Sequence, residues 1–170
     1  MSTEPSGSLS HVAPDGTARM VDVSAKADSA RMARATGQIA MQPSTLEAIA
    51  RNTLKKGDVL GVARVAGIMA AKRTSDLIPL CHPLPLHDLA LSFTLDAKLP
   101  GVRVEAVART VGKTGVEMEA LVAASVALLT IYDMAKAIDR GMTIGDISLA
   151  EKTGGAGGDY ARLVGTGSAI

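Results

Sequence analysis

Residues 89–111, LALSFTLDAKLPGVRVEAVARTV, decide the fold. Leu89, Leu91, Phe93 and Leu95 alternate with Ala90, Ser92, Thr94 and Asp96, the two-residue period of a strand with one face buried. Pro100 and Gly101 then supply a turn signal, and VRVEAVARTV sets Arg103 and Glu105 between apolar residues with the same period. The spacing predicts an antiparallel hairpin. On its C-terminal side, GVEMEALVAASVALLTIYDMAKAIDRG (115–141) predicts a long helix, opened by the capping pattern Thr114-x-x-Glu117 and stopped by Gly141. MTIGDISLA (142–150) resumes a strand.

On the N-terminal side, ARMVDVS (18–24) reads as the start of a strand-like run and MARATGQIAM (32–41) as a second extended stretch. PSTLEAIARN (43–52) predicts a helix in which Ser44 and Glu47 form a capping box and Leu46, Ile49 and Ala50 share a face. Asp58 is the expected N-cap of a longer helix, where Val59, Val62, Ala63, Ala66 and Ala70 recur at three- and four-residue steps. Antiparallel strands with helices massed between them define an α+β chain with helices on one sheet face, without the regular βα alternation of a doubly wound sheet. A single α+β domain is expected over 19–155, between a disordered tail at 1–18 and a flexible glycine-rich tail at 156–170.

Composition narrows the function. Hydrophobic residues are 47% of the 170 but aromatics only 2%, so the core must be built from small aliphatics. Small side chains bury little apolar area each, which favours burial shared between copies of the chain. A formal charge of +1 gives no footprint for nucleic acid or an acidic membrane. Cys81 is the only cysteine, so no intrachain disulfide can form and a reducing, cytoplasmic setting is expected. MSTEPSGSLSHVAPDG lacks the order of a secretory signal. The longest apolar stretch, ALVAASVALLTIY (120–132), is shorter than the roughly 18 residues of a membrane span and reads as a buried helix.

The chemistry-bearing residues are dispersed. In AKRTSDLIPLCHPLPL (71–86), Lys72 and Arg73 end a helix, where positive charge is favoured. Cys81, His82 and His87 have the ligand types zinc prefers but the spacing of no usual structural site. A zinc-dependent hydrolase using these three is an alternative reading, and a non-catalytic oligomeric scaffold is another. Asp133 and Lys136, three residues apart, share a helix face. The 13 uncharged residues before them place that face against protein, where a desolvated lysine beside one carboxylate titrates low enough for proton transfer. Glu117 and Glu119 open the same helix, and Lys56-Gly57 before another helix offers an ammonium and free N–H groups to a phosphate. VGKTG (111–115) is not a P-loop, because the first glycine of that motif would fall at Val107 in a strand; GAGGDY lacks the context of a dinucleotide fingerprint.

Taken together, MVDVSAK, KGDVL, VAGIMAAKRTSDLIPLCHPLPL, KTGVEMEAL and TIYDMAKA, from about Met20 to Gly155, resemble the cyclic pyranopterin monophosphate synthase family of molybdenum cofactor biosynthesis (protein C). The resemblance implies a ferredoxin-like antiparallel sheet packed against helices, and a homohexamer, a trimer of dimers, with active sites at dimer interfaces. It implies conversion of 3',8-cyclo-7,8-dihydroguanosine 5'-triphosphate to cyclic pyranopterin monophosphate and diphosphate, with no metal or organic cofactor doing the chemistry and magnesium left open as a companion of the triphosphate. Carried over by position, Asp133, Lys136 and Lys56 are the catalytic candidates, and Leu80, Cys81, His82, Glu117, Met118 and Glu119 fall at substrate-binding positions. Lys72, Arg73 and Lys152 are further candidates for the phosphates. One departure is visible: EKTGGAGGD (151–159) keeps Lys152 but has Ala156 where a second basic residue is common.

Overall fold

The computed structural model describes residues 15–163, so most of the expected N-terminal tail and the last residues lie outside the described part. The elements run β1 (Ser29–Ala40), α1 (Pro43–Ala50), α2 (Val59–Ala71), α3 (Thr74–Leu77), β2 (Asp88–Asp96), β3 (Gly101–Gly112), α4 (Glu117–Ala135), β4 (Thr143–Thr153) and β5 (Tyr160–Ala161). The sheet order is β2-β3-β1-β4-β5 with every pair antiparallel. With β3 between β1 and β2, and β4 on the other side of β1, the βαββαβ core is a ferredoxin-like α+β fold. Residues 160–161, inside the glycine-rich tail, add the short edge strand.

The hairpin forms as the alternation predicts, with Leu89 paired to Ala108 and Leu95 to Val102. Gly101 is required for a reason no turn rule contains: a Cβ there would run into the Ile39 carbonyl of β1. On β3 the buried set is Val102, Val104, Ala106 and Ala108, and on β1 Ala33, Ala35 and Ile39. These meet Ala120, Ala123, Ala124, Ala127, Leu128 and Ile131 of α4, so the core is as aliphatic and small-grained as the composition demands. The opposite sheet face is ionic, with Arg34 bridging Glu105 at 3.1 Å and Glu151 at 3.0 Å.

Four expectations change. The run 18–24 is no strand beyond a single bridge at Ala18, and its Val21 and Ser24 carbonyls are taken by side chains instead of a neighbouring strand. Neither capping box forms: α1 has Gln42 at its N-cap with Pro43 following, and α4 has Val116, and neither cap makes a side-chain bond. By contrast Asp58 does cap α2, accepting from the Gly61 N–H at 2.9 Å. Finally, α4 ends at Ala135 rather than at Gly141, since the chain turns to bury Asp139. Its carboxylate accepts from the Gln42 N–H (2.8 Å), the Thr45 hydroxyl (3.2 Å) and the Gly141 N–H (3.0 Å), doing for α1 what Ser44 was expected to do. Replacing Asp139 by Ala strands these buried donors and is expected to cost about 3 kcal/mol in a denaturant titration; a loss below about 0.5 kcal/mol contradicts that role.

α4 is the one described helix long and apolar enough to cross a membrane by length and composition, and half of it is buried inside the fold.

Candidate active site

The functional candidates gather at the two ends of α4. Around its first turn is a cavity of about 640 Å³. Into it come Leu80, Cys81 and His82 from the loop after α3, Glu117, Met118 and Glu119 from α4, and Lys152 from β4. Pro79, Pro83 and Pro85 keep the loop out of helix and sheet. Thr110 anchors it by donating to the Pro85 carbonyl at 2.6 Å. At the far side, Gly154 and Gly155, both at φ +85°, turn the chain beside the pocket; a Cβ on Gly155 would strike the Arg31 guanidinium.

Charge in this cavity is arranged by burial. Glu119 is only 5% exposed. Burial, and secondarily the Glu117 charge, hold its carboxyl above the usual range. The Cys81 thiol is likewise pushed up, first by burial and then by Glu119, so it is a protonated, poor nucleophile at neutral pH. Glu117 instead pairs with Lys152 at 3.3 Å. Because Glu119 binds its proton more tightly folded than unfolded, its cost to stability appears as pH rises above the ordinary glutamate range and grows until the folded group ionises. Glu119→Gln is therefore expected to raise the melting temperature at pH 8 and leave it near the parent value at pH 4. An equal change at both values contradicts a proton-linked effect.

At the other end of α4, Lys56 donates to Asp133 Oδ2 at 3.0 Å and to the Asp133 carbonyl at 2.8 Å. Lys136 meets Asp133 Oδ1 at 2.7 Å. The Lys136 and Lys56 bonds hold the Asp133 carboxyl below the usual range. The expected desolvation is absent within one chain: the side chains of Lys136 and Asp133 are 51% and 57% exposed, and Asp133 raises the Lys136 pKa instead of burial lowering it. In this state Lys136 is a proton donor rather than a base. Lys72 and Arg73 are exposed at the end of α2 and do not line the cavity.

The two ends are separated by the helix itself, about 28 Å at 1.5 Å per residue. One chain thus brings together Lys56, Asp133 and Lys136, and separately Leu80, Cys81, His82, Glu117, Met118, Glu119 and Lys152, but does not join the groups. Among the described residues no set of three or more His, Cys, Asp or Glu side chains is placed to hold a metal ion. His87 is engaged on β3, its Nδ1 accepting from the Val111 N–H at 3.3 Å. Sequence reasoning missed Arg31 and Lys113, which also line the cavity. Lys113 lies in the VGKTG stretch set aside as a false P-loop, and Arg31 carries no local signal.

A buried carboxyl beside cations at one end of a helix, and a Lys–Asp–Lys cluster at the other, are groups suited to holding an anionic small molecule and moving protons. The MoaC family model matches residues 20–155. The chain belongs to the MoaC family. It is 60% identical over 152 residues to the cyclic pyranopterin monophosphate synthase of Parvibaculum lavamentivorans, covering 89% of this chain and 95% of that protein. It is 61% identical over 154 residues to a protein of the same name from Methylobacterium sp. (91% and 96% covered). To that of Brucella ovis it is 59% identical over 156 residues (92% and 94% covered). The shared name is that of an enzyme.

Proposed function

We propose that the chain is a cyclic pyranopterin monophosphate synthase, a phosphorus–oxygen lyase acting on 3',8-cyclo-7,8-dihydroguanosine 5'-triphosphate in molybdenum cofactor biosynthesis. The observation that carries this is the Lys56–Asp133–Lys136 cluster, two ammonium groups on one carboxylate in a chain of this family. Opening a purine-derived ring and closing a pyranopterin moves several protons, which these groups give and take. Closing the cyclic phosphate forms one P–O bond on the α-phosphorus and breaks another, releasing diphosphate. Fixed cations such as Lys152 favour that charge shift. The heterocycle lies against Leu80, Cys81, Glu117, Met118 and Glu119 in this reading, in the cavity that His82 also lines. Side chains do the chemistry in this reading, with magnesium left open as a companion of the triphosphate.

The separation of the two groups along α4 supports a site completed by a second copy, with the start of one α4 beside the end of another. Val62, Val65 and Met69 of α2 and Leu129 of α4 are large apolar side chains left exposed, which supports a homohexamer built as a trimer of dimers. A cytoplasmic setting accords with the single free cysteine. Incubating purified protein with the cyclised nucleotide and following products by mass spectrometry tests the proposal. Equal amounts of diphosphate and cyclic pyranopterin monophosphate are expected, and an unchanged substrate overturns it.

A further inference from the structure

Residues 20–26 run along the cavity without forming helix or strand, and Val21, Val23 and Lys26 line it. Two side chains of the pocket wall hold the segment there. His82 Nε2 lies 2.7 Å from the Val21 carbonyl oxygen, and Lys113 Nζ donates to the Ser24 carbonyl at 2.6 Å. The segment is itself shaped: Asp22 Oδ1 accepts from the Ser24 N–H at 2.9 Å, and the Lys26 N–H donates to the Val23 carbonyl at 3.0 Å. A carbonyl oxygen only accepts, so His82 Nε2 carries the hydrogen whether the ring is neutral or charged, and cannot take a proton at that atom while the contact lasts.

We propose that residues 20–26 are a strap that closes the pocket over its ligand, with His82 as a positioning residue latching it at Val21 and Lys113 as the second latch at Ser24. The identity of the ligand rests on the function proposed above; the strap and its latches do not. These two latches are the hydrogen bonds that tie residues 20–26 to the rest of the fold among the described residues, and a segment held by so few opens readily, as entry and release require. Lys26, on the strap and without an ion-pair partner among the described residues, brings a cation to the cavity when the strap is down.

Limited trypsinolysis reads the strap directly, because Lys26 is a cleavage site within it. Loss of one latch is expected to speed cleavage after Lys26 roughly tenfold in His82→Ala and in Lys113→Met, with cleavage after Lys98 in the hairpin turn unchanged as control. His82→Gln, whose amide N–H replaces the imidazole Nε2–H, is expected to return cleavage to within about threefold of the parent. In turnover of the cyclised nucleotide, His82→Ala raises KM about tenfold and moves kcat less than about threefold, and His82→Gln restores KM. Parent-like cleavage in both His82→Ala and Lys113→Met overturns the strap. Cleavage restored in His82→Gln while KM stays as high as in His82→Ala overturns the positioning role, since His82 then acts on the substrate itself. If the cleavage pattern holds but the parent protein does not turn over the nucleotide, the functional reading fails and the strap stands.

Discussion

Replacement of Lys136 by Ala is expected to lower turnover by about 10²- to 10⁴-fold, the range spanned by a positioned acid–base group. Folding should be untouched, because the side chain is half exposed and closes no core contact in the chain. Unchanged thermal unfolding alongside the lost activity separates chemistry from stability. The Asp133 carboxylate is what raises the Lys136 pKa, so Asp133→Asn lowers it. If protonated Lys136 is the active form, activity is lost as pH rises through that pKa, and the basic limb of the kcat profile moves to lower pH in Asp133→Asn. Turnover within threefold of the parent in Lys136→Ala removes the residue from the mechanism. A basic limb that stays in place in Asp133→Asn removes the coupling.

The strand pattern was legible because the hairpin's period is local: each inward residue of 89–95 is two positions from the next, and the partner strand follows at once. Helix starts were legible only where the cap is local as well. Asp58 sits three residues before the N–H it accepts, whereas α1 is capped by Asp139, 97 residues from Gln42, and no window on the sequence contains both. The site divides the same way. Asp133 and Lys136 meet because three residues is nearly one helical turn, and the sequence shows that. Their burial was misjudged, since an uncharged run says that α4 has an apolar face but not that residue 133 lies on it. Arg31 and the strap were illegible, because their place at the pocket follows from how β1 lies beside β3 and from hydrogen bonds spanning more than 60 residues.

The second large effect concerns where the site is. Lys136→Ala and Lys152→Ala alter the groups at opposite ends of α4, and each alone is expected to be nearly inactive as a pure assembly. In a mixed dimer the site formed from the start of one α4 and the end of the other can receive two parent halves, while its twin receives both substitutions. Refolding the two variants together at equal concentration should therefore restore about a quarter of parent activity, from half-active mixed dimers in a random population, which is far above either variant alone. The account predicts that recovery, and its appearance only after subunits are allowed to exchange. Activity in the co-refolded sample no higher than the mean of the two separate variants would contradict a site built from two chains.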